Sequence, residues 1–517
     1  MALGKCYTTA LDGVLANVVT VEANIGAGLP GTHVVGLADT AITESRERMR
    51  TAVTNSQLRW PKTKIIISMS PASMPKSGSH FDLPMALAIL VAAMGPEADL
   101  ETGIDGASPA GRLASCLVLG ELGLDGTVRG VPGVIPALLS ARKHGYRTVL
   151  IPPDNAAEAA LISDMNVLVT PTLERALAWV CGATPLESAA AAAGPGAHPR
   201  APRTPLDFRD VAGQAPAKKA AEIAAAGGHH LMMVGPPGSG KSMIAARLPS
   251  ILPPLSIDES VETTAVHSLA GSAGTVIGHA PFIAPHSSVT RAGLLGGGGA
   301  RVRPGAVSLA HNGVLFLDEV SEIPAAFLDG LRAPLEEGIV RVSRARREVS
   351  FPARFQLVMA ANPCRCGADQ ASRCRCRSAD RQNYLRNISG PLRDRLDIIL
   401  SLNTQGAVIG SAEEEPSAVI AERVAAARER SAARWRQAGL DARTNAAVPT
   451  FWMRREYPAT EDAMETLKAL LLMGDITQRG IDRALKVAWT LADLAGRKQP
   501  DLDLVSQALE LRQDSTL

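Results

Sequence analysis

Eight consecutive residues, Gly235, Pro236, Pro237, Gly238, Ser239, Gly240, Lys241 and Ser242, have the types and order that bind nucleotide phosphates. Glycines let backbone N–H groups turn inward around an anion. Lysine supplies a point charge for the β- and γ-phosphates, and the serine hydroxyl can hold Mg²⁺. The motif needs a strand before it and a helix after it. Leu231–Val234 is an apolar run, and Met243-Ile-Ala-Ala-Arg-Leu248 can wind as a helix with its positive N-terminal end toward the phosphates. A second set follows in Val314-Leu-Phe-Leu-Asp318-Glu319, an apolar run ending in two acids. Such a run reads as a buried parallel strand, and ligands sit at the C-terminal edge of open α/β sheets. Asp318 would hold Mg²⁺ with Ser242; Glu319 would orient or deprotonate the attacking water. A third apolar run, Phe355 to Ala361, ends in the polar amide of Asn362.

Two further clusters can do chemistry. Cys364, Cys366, Cys374 and Cys376 fall within 13 residues, enough sulfur for a tetrahedral Zn²⁺ site, although the spacing is C-x-C twice and free or redox-active loop cysteines are the alternative. Adjacent arginines favour thiolates. From Arg341 to Arg395 there are thirteen arginines, no lysine and four acids, a local charge of +9. That is the footprint of a phosphate-backbone binder, sensitive to salt and indifferent to sequence. Arg344, Arg346 and Arg347 sit near the tip of an expected hairpin in which Val340 and Val342 face Val349 and Phe351. A solvated basic face, or arginines spent on subunit contacts, is the competing reading. His267, His286 and His311 read as satisfied loop histidines rather than metal ligands.

The elements that must carry these groups divide the chain. At 517 residues, 46% hydrophobic and 20% charged, it has room for about three domains with large cores. With 3% aromatics, base stacking does not dominate any nucleic-acid contact. The start lacks a signal-peptide core. The longest apolar run, Leu83 to Met94, is too short to span a bilayer and reads as a buried helix. The seven cysteines do not form a secreted disulfide pattern, so the expectation is a cytoplasmic protein with no membrane partner. Residues 1–182 alternate strand-like runs (Val18–Ala23, Thr32–Gly36, Lys64–Met69, Thr148–Ile151) with helical ones (Asp39–Asn55, Val131–His144). Residues 183–206 are Ala- and Pro-rich, a linker composition. Residues 207–401 hold the phosphate loop, and after a weak segment, 402–417, residues 418–517 read as helices.

Gly28-Leu-Pro, Val35-Gly-Leu-Ala-Asp39, Glu44-Ser-Arg-Glu-Arg48 and Lys76-Ser-Gly-Ser-His-Phe-Asp-Leu-Pro84 resemble the N-terminal domain of the ComM/YifB family of magnesium-chelatase-like AAA+ ATPases. The inserts around Val266-His-Ser-Leu-Ala-Gly271, Pro281 to Ser288 and Gly296 to Gly299 follow the same pattern, except that Ser287 stands where the family has a second histidine. The resemblance covers nearly the whole chain and implies an α/β fold in three parts. These are a Lon-protease-domain-like α/β domain (1–182), an AAA+ P-loop NTPase core with a parallel sheet and helices on both faces (207–401), and a helical lid (418–517). It implies that Asn362 is a sensor that positions water. It also implies that Arg395, in Ser389-Gly-Pro-Leu-Arg-Asp-Arg395, is an arginine finger, with Arg393 second. Arg479 would be a lid sensor reaching a γ-phosphate, with Arg483 its alternate. Lon uses a Ser–Lys dyad; here those positions fall near Asp82 and Ile135, so the domain reads as non-proteolytic, with Ser77, Ser79 and Lys76 a weak remaining alternative.

The residues alone imply an Mg²⁺-dependent ATPase with a basic surface. The resemblance implies a homo-hexamer that couples ATP hydrolysis to moving DNA, chosen by structure and not sequence, as a branch-migration helicase in recombination or DNA uptake. The alternatives are a magnesium-chelatase ATPase subunit, which ordinarily lacks a domain like residues 1–182, an ATP-dependent protease without its dyad, and a remodelling module with no DNA activity.

Overall fold

The computed structural model describes residues 2–36, 40–100, 106–194, 206–298, 302–344, 347–368, 373–377, 379, 384–402 and 414–512. The N-terminal strands are β1 (Ala2–Asp12), β2 (Leu15–Gly26), β3 (Gly31–Val35), β4 (Lys64–Ser70), β5 (Cys116–Val118), the small hairpin β6 (Glu121–Leu122) and β7 (Val128–Arg129), then β8 (Thr148–Ile151), β9 (Asn166–Val169) and β10 (Glu187–Ser188). All but the hairpin join one mixed sheet, in the order β10-β9-β8-β5-β1-β2-β4-β3. The helix Asp82–Ala93 lies against β1 and β2, and its residues through Ala92 are all buried. A helix apolar on every side must be covered on every side, which is why the run from Leu83 was too apolar for a surface element.

Two sequence expectations shift here. β1 was not anticipated: its inward positions include Cys6, Thr8 and Ala10, small or polar residues that give no hydrophobic alternation. The segment expected as linker, 183–206, starts inside the domain. Glu187 and Ser188 pair with Val169 and Leu168, the Ser188 hydroxyl caps the helix Ala189–Ala193, and Ala189 is buried.

In the central domain β11 (Leu231–Val234), β12 (Phe282–Ile283), β13 (Val314–Leu317), β16 (Gln356–Ala361) and β17 (Ile398–Ser401) form an all-parallel sheet, order β12-β13-β16-β11-β17. Successive side chains alternate between faces. Leu231, Met233, Val314, Phe316, Val358 and Ala360 enter one core; Met232, Val234, Leu315, Leu317, Leu357 and Met359 enter another. Both faces are therefore covered, as a parallel sheet requires. Between β13 and β16 stands the hairpin β14 (Ile339–Arg344) and β15 (Arg347–Pro352), in the expected register, Val340 opposite Phe351 and Val342 opposite Val349.

The C-terminal helices Ser417–Gln437, Thr450–Arg455, Glu461–Met473, Gln478–Ala495 and Leu502–Glu510 pack into the first of these cores. Trp435 is fully buried, edge-on to Trp489, and the Arg434 guanidinium lies 4.1 Å from the Trp489 ring centre while pairing with Asp493. The N-terminal domain is also joined to the core. Ser268 Oγ accepts from the Gly133 amide at 3.0 Å, and Glu158 Oε1 from the Gly274 amide at 3.1 Å. Leu11 and Val14, at the β1–β2 turn, pack with Val349 and Phe351 of β15.

Candidate nucleotide site and its accessory clusters

The phosphate loop leaves the C-terminal end of β11 and enters the helix Lys241–Arg247. Gly238 and Gly240 take φ of +81° and +82°, a left-handed region open to glycine. The Lys241 ammonium is nearly buried and donates to the carbonyls of Gly235 (2.6 Å) and Pro236 (2.9 Å) and to Asn362 Oδ1 (3.2 Å). Burial lowers its pKa, and the Asp318 carboxylate opposes that. The Ser242 hydroxyl donates to Asp318 Oδ2 at 2.7 Å. The structure thus brings together Lys241, Ser242, Asp318 and Asn362, all four beyond the C-terminal ends of the adjacent strands β11, β13 and β16. Strand ends must converge when strands are parallel, so this much was legible in the motifs.

Glu319 is exposed and has φ +46°, ψ 45°, a left-handed conformation rare for a side-chain-bearing residue. Its amide donates to Asp318 Oδ1, and its carbonyl accepts from Glu322 N, both at 2.8 Å. Such a conformation costs about 1–3 kcal/mol and persists where the surroundings enforce it, frequently at functional sites.

The remaining arginines lie elsewhere. Leu231 pairs with Ile398 and Val234 with Ser401, so the start of β17 is about 10 Å along the strand from the end that feeds the phosphate loop. Arg395 precedes that start by three residues and is ion-paired to Glu336. Burial, then Arg483, Arg479 and Arg332, lower its pKa. Arg479 pairs with Asp394 at 3.1 Å, and Arg483 with Asp397 at 2.8 Å. Arg393 is half-buried on the short helix Gly390–Arg393. Asp397 is fully buried and also accepts from the His230 amide at 3.2 Å and meets His229 Nδ1 at 3.3 Å. Burial alone would raise its carboxyl; Arg483, His229 and His230 overcome this and hold it well below the usual carboxylate range. The His230 ring takes the Leu357 amide at 3.0 Å, and burial pushes it down to about 4. Sequence reasoning missed Glu336, Asp394, Asp397 and His229. The one available signal was the acid on each side of Arg395 in Asp-Arg-Leu-Asp397.

Cys364, Cys366, Cys374 and Cys376 come together, with all four sulfurs within 4.8 Å of one another. Cys364 Sγ is 3.3 Å from Cys366 and 3.5 Å from Cys374; Cys366 and Cys374 are 3.6 Å apart. A tetrahedral zinc with bonds of about 2.3 Å spaces its sulfurs by about 3.8 Å. The amides of Ala368 and Arg375 hold the Cys366 thiol at about 6, and burial pushes Cys364 to about 11. Among the described residues this is the one clustered set of metal-ligating side chains. The three histidines are apart: His267 bonds Leu309 O, His286 bonds Ser288, and His311 bonds Glu262.

Of the expected DNA contacts, Arg346 lies outside the described residues, and Arg344 and Arg347 are described as backbone partners in the hairpin. Arg341 pairs with Glu337 and Arg354 with Glu262, which offsets part of the basic charge. In the N-terminal domain Asp82 is fully buried and bridged by Arg48 at 2.9 and 3.1 Å. Ile135 is buried, the Lys76 ammonium donates to Pro71 O, and the Ser79 hydroxyl to Glu121. Among the described residues no helix is long and apolar enough to cross a membrane.

Comparison with known proteins agrees with this geometry. The family described as magnesium chelatase, subunit ChlI, matches residues 207–408; subunit ChlI of Mg-chelatase matches 21–155; and the ChlI C-terminal family matches 414–512. YifB of Escherichia coli is 39% identical, covering 96% of this chain and 94% of its own. Competence protein ComM of Haemophilus influenzae is 38% identical over 99% and 98%. Lon protease 2 of Bacillus subtilis is 31% identical over 147 residues, 26% of each chain. With its parallel-sheet AAA+ core, Lon-protease-like N-terminal α/β domain and helical C-terminal region, the chain belongs to the ComM/YifB family of magnesium-chelatase-like ATPases.

Proposed function

We propose that this protein is an Mg²⁺-dependent, ring-forming ATPase that moves DNA, a homo-hexameric branch-migration helicase of recombination or DNA uptake. One observation carries the ring: Arg395 and the lid arginines Arg479 and Arg483 stand at the opposite edge of the sheet from their own phosphate loop. An arginine there serves the phosphates of a neighbouring subunit. Arg395 is the finger that stabilises transition-state charge, worth roughly 10³–10⁵ in rate, and Arg479 reaches the same neighbour's γ-phosphate.

The residues present fit ATP and Mg²⁺. Gly238 has open space around its Cα, so the loop's backbone can approach an anion closely, and Ser242 and Asp318 already meet as two oxygen ligands. Mg²⁺ held by Ser242 and Asp318 would supply neutralisation of the charge on the transferring phosphate. Lys241 leaves the loop carbonyls for phosphate oxygens. Glu319 takes the proton of the attacking water, and Asn362, already touching Lys241, orients it. The four sulfurs hold one Zn²⁺, a reading supported by spacings close to those of a tetrahedron. Residues 1–182 act without proteolysis, because Asp82 offers a bridged carboxylate where a nucleophile would stand. The DNA reading is supported by the arginine density of 341–395, and a relative named competence protein fits it.

A second reading is a metal-insertion ATPase acting with a tetrapyrrole, favoured by the chelatase description of all three matching families. The match over 21–155 removes the N-terminal domain as an argument against it. Steady-state ATPase with branched, duplex and single-stranded DNA, at low and moderate salt, separates the two. Stimulation that fades as salt rises is expected for the DNA motor. A flat response with competent turnover refutes it and leaves the arginines as an assembly surface.

A further inference from the structure

We propose that the four-cysteine metal site controls the ATPase: zinc bound there holds the loop 363–367 against the phosphate loop, and its loss weakens nucleotide binding. The proposal rests on the zinc reading above. Its warrant is how one short stretch touches the nucleotide site at both ends. At one end Asn362 accepts from the Lys241 ammonium, and Cys364 follows two residues later. At the other end Gly367, between the cysteine pairs, lies on Pro237 of the phosphate loop. A Cβ built on Gly367 would be 2.7 Å from Pro237 Cδ and 2.8 Å from Cγ. Gly367 also has φ +68°, so the close approach and the backbone both require glycine.

What holds this stretch down is the cluster. Cys364 is buried, while Cys366 is exposed and Cys374 and Cys376 are half-buried. Without a cation the sulfurs share only weak S–H···S contacts of 3.3–3.6 Å; a bound ion would replace them with four metal bonds that tie 364–366 to 374–376. With the ion gone, the stretch is released from Pro237 and the Asn362 amide loses its fixed position beside Lys241. The phosphate loop then loses the wall that keeps its amides preset around an anion, and binding must include the cost of ordering it.

The test uses the full chain. Metal content is measured on fresh protein by atomic emission. Zinc is then removed with a zinc-selective chelator, Mg²⁺ is kept in excess, and ATP affinity and turnover are compared before removal, after it and after zinc is returned. Gly367→Ala is run in parallel, since it keeps all four cysteines. We expect about one zinc per chain, at least about fivefold weaker ATP binding on removal, recovery on return, and a similar loss in Gly367→Ala with its zinc retained. Zinc present, with ATP affinity and turnover unchanged by its removal, overturns the proposal and leaves the zinc reading standing. Gly367→Ala with native ATP affinity overturns it too. Fresh protein that neither holds nor takes up zinc overturns both. Should the alanine variant fail to fold, as judged by circular dichroism, the chelation arm decides.

Discussion

Replacing Glu158 by Gln should remove a pH dependence that this one side chain imposes where the N-terminal domain meets the core. Glu158 is fully buried. Its carboxyl accepts from Asn155 and from the Gly274 amide across the boundary, yet burial outweighs these bonds and the nearby Ser268 hydroxyl and pushes it from 4.5 up to about 7. A raised acid binds more protons folded than unfolded, so its stabilising contribution is full below the unfolded value and is lost as pH rises through about 7. With 4.5 unfolded and about 7 folded, the loss between pH 5 and pH 8 works out at about 2–3 kcal/mol. Glutamine keeps the size and one acceptor oxygen but has no charge to bury. The variant should therefore gain about 2–3 kcal/mol on wild type between pH 5 and pH 8, or roughly 5–10 °C in the transition of a domain this size. Thermal unfolding of both proteins at the two pH values reads this as a difference of differences, in which all other titrating groups cancel. If the gap between variant and wild type is the same at both pH values, the reasoning about Glu158 is wrong.

Two further outcomes test the nucleotide site. Lys241→Ala should abolish ATP binding, measured by a fluorescent nucleotide analogue, because it removes the cation that contacts both the loop carbonyls and Asn362; unchanged ATPase would refute the site. Arg395→Ala should bind nucleotide yet lose about 10³-fold or more in turnover, as should Glu319→Gln, whereas an equal mixture should recover on the order of a quarter of the sites if the finger acts between subunits.

What was legible in the sequence was what parallel-sheet geometry forces. Lys241, Asp318 and Asn362 each end or follow a short apolar run, and parallel runs must bring those ends to one edge. The hairpin register was legible because Val340, Val342, Val349 and Phe351 alternate. β1 was hidden because its inward positions Cys6, Thr8 and Ala10 are small or polar where alternation would need large apolar residues, and Thr9 on the other face is buried too. The pairing of Arg479 with Asp394 spans 85 residues, and that of Arg483 with Asp397 spans 86. No local pattern reports such contacts; only packing of the C-terminal helices on the core creates them. The cysteines were countable in the sequence, but the approach of Gly367 to Pro237 depends on how the loop after β16 folds back.

The packing of Leu11 and Val14 on Val349 and Phe351 bears on mechanics. A pushing arm delivers force only through its anchorage. In the proposed motor such an arm would be the β14–β15 hairpin, and part of its anchorage belongs to another domain, fastened again at Gly133–Ser268 and Glu158–Gly274. Any tilt of the hairpin during an ATP cycle must either shear that apolar seam or carry the N-terminal domain with it. Close-packed seams resist shear, so the stiffer outcome is a joint swing of arm and domain. In a ring, the N-terminal domains would then be a collar moving in step with the arms, and the stroke would be set by the collar's freedom as much as by the nucleotide.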